Sequence, residues 1–195
     1  MDDDTVWRHV DEQRRVVADL AASLRTEEWE SPSLCAGWRV REVLAHLTME
    51  ATPKVVVVEM LRARGDFDRM IDGTARRLAR RSEEELVGLL RDRVGKRRTP
   101  PGGAPMDPLG DVLVHTQDVV RPLGRHHAVP PEAAAAVATR IWERGFPHHA
   151  QRRLAGRRLV ATDVDWAVGE GEEVHAPIAD LLLLVTGRDP WRVSR

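Results

Sequence analysis

The sequence predicts a mostly α protein, an antiparallel four-helix bundle followed by a small α+β portion made of a β-hairpin plus helix. Three observations carry that reading. Apolar residues recur at steps of three and four over most of the chain, as one face of a helix requires. Period-two alternation occurs only near the end, in RLVATDVDWAVGEGEEVHAP. The breaks between helical stretches are mostly short, as neighbours in a bundle require.

Taken in order, Val6, Val10, Val17, Leu20 and Leu24 form the stripe of a first helix, which Thr5 or an adjacent aspartate can cap. The stretch EEWESPSLCAGW is irregular. A second helix starts near Val40, carries Val43, Leu44 and Leu47 on one stripe, and extends to about residue 64. Pro53 has to kink or divide it, because proline removes one helical hydrogen bond. FDRMIDGTARRLARR reads as a third helical segment. Ser82 and Glu85 have the spacing of a capping box at the start of SEEELVGLLRDRV. KRRTPPGGAP is a loop by its Pro and Gly content. The next helix has Asp107 as N-cap, Pro108 in its first turn and Gly124 as its stop. A further helix runs from Pro131 to Arg144. The Gly-rich turn GEG then separates two extended runs, and Pro177 opens a last helix, IADLLLLV, which Gly187 ends. The expected division is a helical bundle over residues 1–150 and a hairpin–helix portion over 151–195.

Composition narrows the class. A chain of 195 residues holds one full domain with a small appendage. Thirty basic residues against 31 acidic ones give a formal net charge of -1, without the basic surplus of a nucleic-acid binder. Arg76-Arg77 and Lys96-Arg97-Arg98 read as a solvated helix face and a loop. With Cys35 alone, no intrachain disulfide can form, which fits a reducing compartment. MDDDTVWRHVDEQ lacks the apolar stretch of a signal peptide, and the longest apolar runs, 55–58 and 181–185, are far too short to span a bilayer. The expectation is a cytoplasmic monomer or homodimer that acts on small molecules, with neither nucleic acid nor membrane as partner.

Residues 111–118 read DVLVHTQD and raise the functional question. One helical turn puts Asp111 and His115 on the same side, with Cβ atoms ~5–6 Å apart, close enough to share an ion. Leu109, Val112, Leu113, Thr116, Val120 and Leu123 form the apolar arc; His115 falls just outside it and Asp111 further out. Two protein ligands make a poor site, since a catalytic zinc normally takes three and keeps a fourth position open. REVLAHLTMEA on the second helix offers His46, which flanks its own stripe as His115 does. Glu50, four residues on, is a rival ligand. Imidazole and carboxylate donors suit zinc, nickel or iron. Each residue also has a structural reading, as a half-exposed polar flank of a helix.

SLCAGWRVREVLAHL resembles the N-terminal signature of mycothiol-dependent maleylpyruvate isomerases and their DinB-like relatives. DVLVHTQDVVRPLG resembles their second signature, an acidic residue with a His four positions later. FDRMIDGTARRL is similar to a middle segment of the family, and RLVATDVDWAVGEGEEVHAPIADLLLLVTGR to the C-terminal portion of the isomerase. The resemblance implies a DinB-like bundle in which His46, Asp111 and His115 bind a divalent metal, usually zinc, with mycothiol as co-substrate. Two departures stand out. The family generally has Glu where this chain has Asp111, so the shorter carboxylate is expected to bind metal less tightly. The family often has Ser or Thr where this chain has Arg39, which removes an N-cap side chain worth ~1 kcal/mol.

A metal with an open position can deprotonate a bound thiol whose free pKa is about 8.5. In an isomerase of the resembled type the thiolate adds to a conjugated double bond of a small acidic or electrophilic substrate, the bond rotates, and the thiol leaves. An S-transferase would stop after addition or displacement. A hydrolytic or non-catalytic DinB-like bundle, with a binding or stress-response role, is the alternative. Asp118 can bind substrate, hydrogen-bond a pocket group or a water behind the ligands, or pair with Arg121. Arg188 can grip an acidic substrate or neutralise a helix C-terminus. Cys35 reads as a small packed residue, Trp38 as a core anchor beside the second helix, and the histidine pairs 126–127 and 148–149 as loop residues.

Overall fold

The computed structural model describes residues 1–49, 52–99 and 102–191. The chain divides into two compact units, one spanning Asp2–His126 and the other beginning at His127. The expected boundary at 150 lies further along the chain. The helix starting at Pro131 falls in the second unit, where it packs on the last helix.

The first unit holds α1 (Asp3–Ala22), α2 (Thr26–Trp29), α3 (Val40–Leu47), α4 (Pro53–Arg62), α5 (Phe67–Leu78), α6 (Glu83–Asp92) and α7 (Met106–Val120). α1 packs on α6 and α7, and α3 packs on α5, α6 and α7, so α7 is central to the bundle. Its Leu109 and Leu113 are wholly buried, and sequestering a side chain of that size contributes about 1.5–3 kcal/mol. The α1 stripe is buried at Val6, Val10 and Val17. Asp2 caps this helix, its Oδ1 accepting from the Thr5 N–H at 2.8 Å.

Pro53 divides the predicted second helix rather than kinking it. α3 ends at Leu47, and α4 restarts with Thr52 as N-cap and Pro53 in its first turn, where the missing N–H costs nothing. Ser82 and Glu85 form the expected reciprocal box at 3.1 and 2.9 Å. α7 begins at Met106, just ahead of the expected Asp107 cap; the Asp107 carboxylate instead accepts from the Ala104 N–H at 2.8 Å. At α3, Arg39 supplies no acceptor, but Glu42 reaches back to the Arg39 N–H at 2.9 Å and to its guanidinium at 3.0 Å. That return contact satisfies the Arg39 N–H, which is the other half of a capping box, and not the first-turn N–H that a Ser or Thr side chain would take.

The second unit holds α8 (Pro131–Arg144), α9 (Ala150–Arg153), β1 (Arg157–Ala161), β2 (Ala167–Gly169), β3 (Glu172–Ala176) and α10 (Ile178–Val185). The three strands lie in the order β2-β1-β3. The hairpin is present, but it joins β1 to β2, antiparallel with Leu159 opposite Val168, through residues 162–166. The GEG segment is not its turn. It carries the chain beneath the start of β1, so that β3 pairs with β1 in parallel, Arg157 opposite Glu172. The crossing is tight. Gly171 has φ +120, and a Cβ there would overlap the carbonyl group of Gly156. Asp163 caps α10 by accepting from the Ile178 N–H at 2.8 Å, and α10 packs on α8 and β1. Among the described residues, no helix is long and apolar enough to cross a membrane.

Candidate metal centre

His46 sits in the last turn of α3, while Asp111 and His115 lie one turn apart on α7. Because α3 packs on α7, the boundary positions of the two histidines face each other. The imidazole centroids are 4.7 Å apart in an edge-to-face arrangement. Asp111 Oδ1 lies 3.1 Å from His46 Nε2 and 3.5 Å from His115 Nε2. One donor atom from each of the three residues falls within 4.8 Å of the others, and among the described residues no other cluster of His, Cys, Asp and Glu converges in this way. Glu50, the rival ligand, lies outside the described residues.

The separations fit a metal. Zinc takes nitrogen and oxygen ligands at about 2.0–2.2 Å, which in a tetrahedron places ligand atoms roughly 3.4 Å apart. Both distances from Asp111 Oδ1 are close to that value. The two histidine side chains are nearly buried, whereas Asp111 is 45% exposed, so the cluster has a solvent-facing side through which an outside ligand can approach.

Two neighbours shape the centre. Asp118 is wholly buried, and its Oδ2 lies 2.8 Å from His115 Nδ1. A carboxylate only accepts, so Nδ1 carries the hydrogen and the Nε2 lone pair points toward Asp111. Asp118 therefore orients His115. The Asp118 side chain presents no accessible surface, and one turn away the Arg121 Nε donates to Gln117 Oε1 at 2.9 Å. The second neighbour is Trp38. Sequence reasoning made it a core anchor; instead it is half-buried beside the centre, its rings 5.4 Å from His46 and 6.3 Å from His115. Its Nε1 donates to Asp72 Oδ1 on α5 at 2.8 Å, a contact that no local spacing announces.

His46 differs from His115. Its Nδ1 is buried and has no hydrogen-bond partner among the described residues. Arg14 of α1 is also buried, with Nη1 donating to the Arg93 and Lys96 carbonyls at 2.9 and 2.8 Å. Burial, and then repulsion from Arg93, push its guanidinium down to about 10, against the attraction of Asp11 and Asp111.

Two further candidates come from the sequence, Cys35 and Arg188. Cys35 is half-buried in the turn ahead of α3, where its N–H donates to Ser33 Oγ at 3.1 Å. Arg188 belongs to the second unit; it follows α10, and its Nη1 donates to the Thr186 carbonyl at 3.2 Å. That bond reaches a carbonyl at the C-terminal end of α10, where a cation is favoured.

Comparison with known proteins follows from this geometry. Residues 10–99 match the model of the mycothiol maleylpyruvate isomerase N-terminal domain, a stretch that includes His46, Trp38 and Asp72. That stretch is a little under half of the chain, and over it the protein is similar to the isomerase N-terminal domain. The resemblance read from the sequence is thereby borne out, although Asp111 and His115 fall beyond the matched stretch. A crystal structure of the mycothiol-dependent maleylpyruvate isomerase resembles the whole fold, with TM-score 0.66 and 13% identity, covering 100% of this chain and 92% of that one. A histidine-to-alanine mutant of such an isomerase gives TM-score 0.65 and 12% identity, over 97% of this chain and 91% of that one. At such identities the likeness speaks for the fold. No curated protein matches this chain in sequence.

Proposed function

We propose that this chain is a metal-dependent, thiol-using enzyme of the maleylpyruvate isomerase type, acting on a small acidic or electrophilic substrate with mycothiol as co-substrate. The observation that carries the reading is the convergence of His46, Asp111 and His115 from two helices, with Asp111 exposed. The similarity of residues 10–99 to the isomerase N-terminal domain and the likeness of fold support it. A divalent cation held by these three residues, zinc or else nickel or iron, would supply the positive charge that favours a thiolate over a thiol near neutral pH.

The protein's own groups do the rest. His115 offers its Nε2 lone pair because Asp118 fixes the tautomer. His46 and Asp111 offer the other two donor atoms, leaving the solvent side for thiol and substrate. Trp38 walls the histidine side of the cluster and limits how water can approach it.

The test is the metal content of the purified protein beside that of His46→Ala, followed by a thermal-shift screen against divalent metals and thiols and an assay of maleylpyruvate isomerisation with mycothiol. A ligand that binds only the folded state raises its stability. The expected result is near-stoichiometric metal that the variant loses, a thiol-dependent shift, and thiol-dependent turnover. A folded wild type that neither holds nor responds to metal would refute the reading. Metal binding without thiol-dependent turnover would favour the hydrolytic or non-catalytic bundle.

A further inference from the structure

The two histidines of the centre are held by different means. His115 has a hydrogen-bond acceptor behind it, the buried Asp118. His46 has none among the described residues, since its Nδ1 is buried without a partner. Its ring orientation therefore depends on what packs against it. Besides the His115 imidazole, 4.7 Å away, the ring that packs beside it is Trp38, 5.4 Å away and tilted by 49°.

Trp38 in turn is not fixed by burial, since it is only half-buried. Bonds from α5 hold it. Asp72 Oδ1 accepts from the indole Nε1 at 2.8 Å. The same carboxylate takes Arg76 Nε at 2.8 and 3.0 Å, and Arg76 Nη2 donates to the Gly37 carbonyl at 3.0 Å. One carboxylate and one guanidinium thus grip both the side chain and the preceding backbone of the Gly37-Trp38 turn. Arg76, and then the Trp38 N–H, hold the Asp72 carboxyl below its usual range, as expected of a carboxylate with both groups hydrogen-bonded to it.

We propose that Asp72 is a positioning residue for the metal centre, acting through Trp38, whose indole sets the orientation of His46. This rests on the metal-binding reading of His46, Asp111 and His115. On this view Trp38 does for His46 by packing what Asp118 does for His115 by hydrogen bonding.

Cobalt(II) titration followed by its visible absorption, with zinc competition, tests the proposal without any activity assay. Asp72→Ala should weaken cobalt binding by about tenfold, in the range typical for partners of metal ligands, and alter the absorption band. Asp72→Asn keeps an oxygen that can accept from the indole, so it should recover most of the affinity. Asp66→Ala removes the side chain that caps α5 through the Arg69 N–H at 2.9 Å, so it lowers stability without touching Trp38. Its cobalt affinity should stay at the wild-type value. In a Trp38→Phe background, which lacks the indole N–H, Asp72→Ala should add little, because the two residues act as one unit. If Asp72→Ala loses no more affinity than Asp66→Ala, or loses as much again in the Trp38→Phe background, Asp72 has no positioning role and the metal reading still stands. A folded wild type that binds no cobalt would overturn the metal reading and this proposal together.

Discussion

His115 Nδ1 and Asp118 Oδ2 lie 2.8 Å apart, with the carboxylate wholly buried. The pair fixes which imidazole nitrogen can bind a metal. Asp118→Ala should therefore weaken zinc binding by about 10–100-fold, measured by competition with a chromogenic chelator. Asp118→Asn still presents an oxygen to Nδ1 and should lose less. If the alanine variant is folded and binds zinc as tightly as wild type, the tautomer argument fails.

Asp111 separates two accounts of the same departure from the family. The sequence suggests that an aspartate reaches too little and binds metal weakly. In the structure its Oδ1 already lies 3.1 and 3.5 Å from the two imidazole nitrogens, so the local backbone accommodates the shorter side chain. An added methylene would have to fold back. Asp111→Glu is therefore expected to leave the zinc dissociation constant unchanged or to raise it. An affinity gain of tenfold or more in that titration would restore the short-reach account.

The α3–α7 relationship shows how far local pattern reaches. His46 and His115 were legible because each lies at the edge of a helical stripe, and two packed helices bring such edges together. The division at Pro53 was legible too, because a missing N–H is a property of one residue. The role of Trp38 was not, since its partner Asp72 is 34 positions away and nothing in MIDGTARRL or AGWRV encodes the contact. The crossing of β3 beneath β1 was equally hidden. Alternation marks strands, but the parallel pairing of Arg157 with Glu172 depends on a close approach of Gly171 to Gly156, which is tertiary.

Acid stability should depend on Glu28. Arg125 Nη2 lies 2.8 Å from its Oε2 and the Arg25 N–H donates to the same oxygen at 2.9 Å. The hydrogen bond from Arg125, and then that from the Arg25 backbone, lower its carboxyl from 4.5 to about 2. A carboxyl whose folded value is depressed contributes stability that is present above its unfolded value and lost as pH falls toward the folded one. Wild type should therefore lose stability between pH 4.5 and about 2 through this group, and Glu28→Gln should flatten that part of the profile. Urea melts across the window measure it. An unchanged slope in the variant would mean that Glu28 protonates without consequence for folding.

Gly171 offers the sharpest test of the strand crossing. At φ +120 the backbone occupies a region that side-chain-bearing residues avoid, and a Cβ there would overlap the Gly156 carbonyl, whose oxygen also accepts from the Glu172 N–H at 2.9 Å. Gly171→Ala must therefore either shift the Gly156 backbone or give up the first bond of the β1–β3 ladder. Both are costly, and the expected loss is about 2–4 kcal/mol of unfolding free energy for the unit beginning at His127. Gly124→Ala makes a suitable control. That glycine also has a positive φ, +63, but a Cβ there meets nothing within 4 Å, so only the backbone preference is lost, about 1 kcal/mol. Hydrogen exchange at the β1 and β3 amides reads the difference directly: protection should collapse in Gly171→Ala and persist in Gly124→Ala. If both variants keep native protection there, the chain does not cross beneath β1 at Gly156, and the β2-β1-β3 order gives way to a hairpin turning at GEG.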